Sequence, residues 1–319
     1  MTKHKPTASG LSRRARFQTT LMRRLSAVRP LHPASQPKSN TLTISLPFSK
    51  RALMLTRKCG LLIGGIMTTA MTASGIEREP ELLGQTVVVI GGSAGIGLET
   101  ARRARAEGAK VILTARNPER LKHAATEIDA FSTAAFDATD FKLLQRFFDD
   151  LPAPVDHILV TGPGPYYAPL ADFDFERARR DIEAHLLLPL QIARNARNKV
   201  RPGGTLLFMG GTGGRSTAKG FVFISALTAA LPAMVKNLAL ELAPVRVNLI
   251  AAGFVDTPLS AELLGDQLEN RRNQLRTTLP IKRVVGPADV AALAVHIMTN
   301  TALTGATYDI DGGQQLVAA

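Results

Sequence analysis

The sequence predicts an α/β protein built on one doubly wound parallel β-sheet, behind a basic N-terminal extension. Three observations lead there. From Gln85 onward, short β-branched runs alternate with amphipathic helical stretches. The first run enters its helix through the glycine-rich turn "GGSAGIG" (91–97). Charge is also unevenly placed: the first 76 residues hold 13 Lys or Arg and no Asp or Glu, while the other 26 basic residues face 26 acidic ones. The chain therefore reads as a basic extension, 1–76, joined to a charge-balanced domain, 77–319.

The elements follow in order. "TVVVI" (86–90) is a continuous apolar run, the mark of a strand buried on both faces. "GLETARRARAEGA" behind it has helical spacing and stops at Gly108. After the strand "VILTA" (111–115), Asn117 and Pro118 supply an N-cap and a first-turn proline for a helix through Ile128. Further strands are expected at "AAF" (134–136), "HILVT" (157–161), "TLLFM" (205–209), "VRVNLI" (245–250) and "ATYDID" (306–311). Helices are expected around 140–150, 173–198, 225–243 and 287–299. No repeat and no second domain is visible.

The extension has three readings. Its Arg- and Ser-rich, acid-free composition is that of an organellar transit peptide, and it also suits a tether to anionic surfaces. The plainer reading is an untranslated or disordered segment, with the start at Met67 or Met71. The run after Cys59 is too weakly apolar for a spanning helix, so no membrane span is expected. The domain lacks a basic footprint, so no nucleic-acid partner is expected for it. Cys59 is the only cysteine, which excludes an intrachain disulfide, a cysteine nucleophile in the domain and a thiolate metal site. A reducing cytoplasm fits that usage.

Chemistry enters at the glycine turn. A strand running through close-set glycines into a helix lets bare backbone approach a pyrophosphate, with helix N–H groups aimed at it. The turn "VVVIGGSAGIG" resembles that of the short-chain dehydrogenase/reductase family, with Gly91, Gly95 and Gly97 at its glycine spacing and Ile96 between the last two. Matches continue in order over 84–315. "FDATD" resembles the third-strand motif, placing Asp137 at the adenine. "LVTGPG" stands in place of the family's Asn-Asn-Ala-Gly turn and keeps Gly164. "LALELAPVRVNLIAAGFVDTPL" resembles the approach to the nicotinamide loop, with Thr257 at the carboxamide, and "TGATYDIDGG" the last strand. The resemblance implies a Rossmann fold, a nicotinamide cofactor, a small carbonyl or alcohol substrate, and a homodimer or homotetramer. For the choice of dinucleotide, "TARN" ends the second strand with Arg116 and no acid. A guanidinium accepts a 2′-phosphate, and Ser93 in the loop assists, so NADP(H) is expected.

The family's proton donor is missing. Aligned on "LALELAP", its tyrosine falls on Ile224, its lysine on Thr228, its serine on Gly211 beside Thr212, and its asparagine on His185. No Tyr-x-x-x-Lys occurs in the chain. Charge builds on oxygen when hydride reaches a carbonyl carbon, so some donor has to meet it. Tyr166, Tyr167, His185 and Thr212 are the candidates. Against them stand bland readings: aromatic packing for the tyrosines, a hydrogen-bonded core role for the histidine. Arg215, Ser216 and Lys219 read as a flexible loop with solvated charge. Two functions remain open: an NADP(H)-dependent oxidoreductase with a rebuilt donor, or an NADP(H)-binding sensor or structural protein without turnover.

Overall fold

The computed structural model describes residues 79–317. The readings made for 1–76, including those at Met67, Met71 and Cys59, lie outside the described residues.

Seven parallel strands form one sheet in the order β3-β2-β1-β4-β5-β6-β7. They are β1 Thr86–Ile90, β2 Lys110–Ala115, β3 Ser132–Ala135, β4 Val155–Val160, β5 Val200–Gly211, β6 Arg246–Ala252 and β7 Thr307–Ile310. The order reverses between β1 and β4, and a doubly wound sheet opens a ligand crevice at such a switch point. The helices on one face are α1 Gly95–Ala106, α2 Pro118–Ile128 and, late in the chain, α9 Pro287–Thr299. The other face carries α3 Phe141–Asp150, α5 Leu188–Ala196 and α6 Val222–Glu241. Between β4 and α5 lies α4 Phe175–Ile182, and two short helices, α7 Pro258–Leu264 and α8 Leu268–Thr278, follow β6.

The strands are apolar throughout because both faces are covered. On β1, Val88 and Ile90 join one core with Leu144, Phe148 and Ile192, while Val87 and Val89 join the other with Ala101, Leu121 and Val290. Burial at this density, at roughly 25 cal/mol per Å² of apolar surface, is the main stabilising term. The caps agree with the sequence: Asn117 accepts from the Arg120 N–H at 2.9 Å, and Gly108 takes a φ of +84° just past α1. Among the described residues only α6 is long and apolar enough to cross a bilayer, yet its Ile224, Leu227, Leu231 and Val235 are buried in the domain.

The clearest departures from the sequence reading are β3, the helix over 173–198 and two short helices after β6. β3 lies at 132–135 rather than 134–136, because the apolar Phe136 follows the strand's end, where its N–H still bonds Ala115 O at 3.0 Å. The helix expected over 173–198 is broken by a wide π turn, Glu183–Leu187. Pro189 explains it: in a regular helix its ring would collide with the carbonyl of His185, and a widened turn relieves the clash. Helices α7 and α8 were not foreseen, since α7 has seven residues and α8 buries only Leu275, leaving no periodic signal.

His157 on β4 gives the fold a pH dependence. It is 1% exposed, its Nε2 meets Gln85 Oε1 at 2.8 Å, and its Nδ1 has no hydrogen-bond partner among the described residues. A proton on Nδ1 would be buried without an acceptor. Burial, only partly offset by Asp156 and reinforced by Arg246 and Arg201, lowers its pKa from 6.5 to about 3. As pH falls, the unfolded chain takes up this proton first. The contribution is therefore complete above pH 6.5 and is lost progressively down to about 3. Urea unfolding at pH 7 and pH 5 should show wild type losing about 2 kcal/mol more than His157→Gln across that interval. Equal losses would mean that the imidazole is protonated in the fold.

Candidate cofactor and substrate cleft

The glycine turn hangs from the C-terminal ends of β1 and β4. The N–H groups of Gly91 and Gly92 donate to Thr114 O at 3.0 and 2.9 Å, and Thr161 Oγ1 donates to Ile90 O and Gly91 O at 3.0 and 3.1 Å. The glycines are sterically required. A Cβ on Gly91, whose φ is +89°, would lie 2.1 Å from Thr161 Oγ1, and one on Gly97 would lie 2.2 Å from Gly91 O. Helix α1 starts without a side-chain cap and without an acid in its first turn, so its leading N–H groups stay available to an anion. Ser93 is half-buried in this turn and Ile96 lines the cleft beside it. This cradle suits a dinucleotide pyrophosphate.

The other expected cofactor residues surround the turn. Arg116 is exposed one residue beyond β2. Asp137 is exposed past β3 and folds its own loop, accepting from the N–H and hydroxyl of Thr139 at 2.9 and 2.7 Å. Gly164 lies between the cleft residues Pro163 and Pro165, against Leu259. Thr257 lines the cleft and caps α7 reciprocally with Ser260: its Oγ1 accepts from Ser260 N at 3.3 Å and its N–H donates to Ser260 Oγ at 2.8 Å. The loop after β6 is pinned from the C-terminal segment, where Gln314 Oε1 accepts from Phe254 N at 2.9 Å.

Beyond the turn the crevice widens into a cleft of about 490 Å³. Among the described residues lining it, only Tyr167, His185 and Arg271 are ionisable. His185 sits in the π turn, and its Nδ1 meets the Asp181 carbonyl at 3.0 Å, which fixes a proton on Nδ1 and leaves Nε2 for the cleft. Thr212 lines the cleft and is 6% exposed. Tyr167 is half-exposed and stacks on Phe221 with ring centroids 5.0 Å apart. Burial raises its phenol pKa, against a smaller lowering by Arg271.

Tyr166 has to be withdrawn as a donor. It does not line the cleft: it is 5% exposed, packs against Phe173 and Phe223, carries Arg177 over its ring at 4.3 Å, and its hydroxyl accepts from Asp174 N at 2.8 Å. That is structural packing, held by a satisfied hydroxyl. The loop of Arg215 is likewise not a freely solvated charge, since Arg215 pairs with Asp309 of β7.

The family model described as enoyl-(acyl carrier protein) reductase matches residues 91–315. The chain is a short-chain dehydrogenase/reductase. It is 27% identical over 252 residues to the short-chain dehydrogenase/reductase ATR9 of Stachybotrys chlorohalonatus, covering 73% of this chain and 98% of that protein. The solved structure of the MalC reductase/Diels-Alderase from Malbranchea aurantiaca superposes with a TM-score of 0.70 at 25% identity, covering 75% of this chain and 99% of that one. BdcA, solved in complex with NADPH, has a TM-score of 0.66 at 25% identity, covering 73% and 95%.

The positions that the sequence reading sets against the family's tyrosine, lysine and serine lie at the cleft. Ile224 lines it and is 4% exposed. Thr228 lines it too, but its hydroxyl is turned back onto Ile224 O at 2.8 Å. Gly211 has room for a side chain, the nearest atoms to an added Cβ being 3.6 Å away. Sequence reasoning missed Thr161, whose hydroxyl ties two strand ends, and Arg271, hidden in a polar helix without periodicity.

Proposed function

We propose that this short-chain dehydrogenase/reductase is a cytoplasmic NADP(H)-dependent oxidoreductase for a carbonyl or alcohol substrate, with His185 as its proton donor. One observation carries the reading: His185 presents an anchored imidazole in the cleft that also contains Ile224, the position of the absent tyrosine. The competing phenol, Tyr167, is pushed upward by burial and is the poorer acid for it. Gly91, Ser93, Gly95, Ile96 and Gly97 would hold the pyrophosphate, Arg116 the 2′-phosphate, Asp137 the adenine, Gly164 the nicotinamide side, and Thr257 the carboxamide. When bound, the cofactor supplies the hydride. In reduction, His185 Nε2–H gives a proton to the substrate oxygen while the Asp181 carbonyl holds the ring, and the Thr212 hydroxyl donates a hydrogen bond to the same oxygen. BdcA's complex with NADPH supports the choice of NADP(H). Val222 and Leu240 on α6, 70% and 80% exposed, support a homodimer or homotetramer.

The cofactor assignment predicts that Arg116→Glu weakens NADPH binding by about ten- to a hundredfold, the worth of a charge-assisted hydrogen bond, and NADH binding far less. Titration followed by the fluorescence of the reduced nicotinamide measures both. Equal losses for the two nucleotides would remove Arg116 from phosphate recognition.

A second reading, an NADP(H)-binding protein without turnover, is favoured by Ile224, Thr228 and Gly211, none of which offers a donor to the cleft. NADPH oxidation that requires both the purified protein and a carbonyl compound eliminates it.

A further inference from the structure

Helix α8 carries three arginines beside the cleft, and their pairing differs. Arg272 forks onto Asp256 at 2.8 and 2.9 Å and also reaches Glu269, and Arg276 bonds Glu269 at 2.8 Å. Arg271 alone of the three lines the cleft, and among the described residues it has no acidic partner; its Nη1 donates to the neutral Gln274 Oε1 at 2.7 Å. The cleft that it lines has mostly apolar walls, with Phe221, Leu227, Leu231, Leu259 and Leu263 among them. A cation in apolar surroundings without a counter-ion is costly, and the cost falls when an anion enters.

We propose that the substrate combines an apolar body with an anionic group, carboxylate or phosphate, and that Arg271 receives this group in the cleft with the Tyr167 phenol as a second donor. The proposal rests on the oxidoreductase reading and narrows its substrate class. A guanidinium presents parallel donors that match two oxygens of either anion. Tyr167 and Arg271 both line this cleft, and among the described residues Arg271 and His185 are its other ionisable residues beside the phenol. Because burial keeps the phenol protonated, it donates rather than competes for the cation. Phe221, stacked on Tyr167, continues the apolar wall to this pair, so body and anion have adjoining surfaces. The arrangement disfavours cationic substrates.

The test is calorimetric binding of decanoate, decyl phosphate and decanol to the NADPH-loaded full chain. The wild type should bind at least one anion about tenfold or more tighter than decanol, and Arg271→Gln should bring the anions to decanol's level. Arg271→Lys should keep part of the preference, and its melting curve together with that of Arg271→Gln reports folding. Whichever anion binds more tightly distinguishes carboxylate from phosphate recognition. Equal affinities in the wild type, a preference that survives Arg271→Gln, or no binding of any of the three overturns the proposal. So does a parallel loss of NADPH affinity in Arg271→Gln, which would assign the arginine to the cofactor. Since the readout is binding, missing turnover would sink the reductase reading and leave this result standing.

Discussion

His185→Phe is expected to lower carbonyl reduction by about 10²–10⁴-fold, the usual contribution of a positioned general acid, while NADPH affinity is unchanged within about twofold. The ring stays similar in bulk, so the π turn need not move. What disappears are both ring nitrogens: Nδ1, which bonds the Asp181 carbonyl at 3.0 Å, and Nε2, the proposed donor. The pH profile separates this role from a merely structural one. Nε2 can donate only while both ring nitrogens carry a proton, so the wild-type rate of reduction should carry a pH dependence that the variant's slow residual rate lacks. Both are read from NADPH consumption at saturating cofactor across a pH series. A variant that keeps full activity would pass the proton to Thr212, Tyr167 or water and end the assignment.

The cleft could be foreseen only as far as its backbone logic. Gly91 and Gly97 are legible because no side chain fits where they stand, and that constraint forces a residue type onto the sequence. Ile224 and Thr228 are legible by their helix register, one turn apart on α6, and both line the cleft. The identity of a substitute is different in kind. Tyr166 and Tyr167 are adjacent in sequence, yet one packs inward under Arg177 and the other enters the cleft, and no local pattern distinguishes them. Arg271 was invisible for a related reason: its significance lies in the acids that pair its neighbours, Asp256 and Glu269, and pairing is a property of three-dimensional placement. Pro189 was a readable warning of the π turn that a reading for periodicity alone passed over.

The same limit applies to the fold's most consequential cation, Arg246. The first residue of β6, it is 5% exposed and donates to five carbonyls: Gly203 at 3.0 Å, Ile297 at 2.8 Å, Met298 at 2.7 Å, Asn300 at 3.1 Å and Leu303 at 3.0 Å. Ile297 and Met298 belong to the last turn of α9, where unpaired carbonyls and the negative end of the helix dipole both favour a cation. Arg246→Met keeps most of the side-chain volume and leaves those carbonyls buried without donors. The expected loss in urea unfolding is about 3–5 kcal/mol, a large part of the 5–15 kcal/mol typical of a domain. Arg246→Lys should fall between, because an ammonium carries the charge but cannot spread donors over a planar fork. Helix α9 shares a core with α1 through Val290, Ala294, Ala101 and Ala104, so loosening its end reaches the helix that carries the glycine turn. NADPH, by binding only the folded form, should then raise the melting temperatures of Arg246→Met and of the wild type alike. A loss below about 1 kcal/mol would mean that water reaches these carbonyls once the guanidinium is gone, and that α9 holds to the sheet by apolar packing alone.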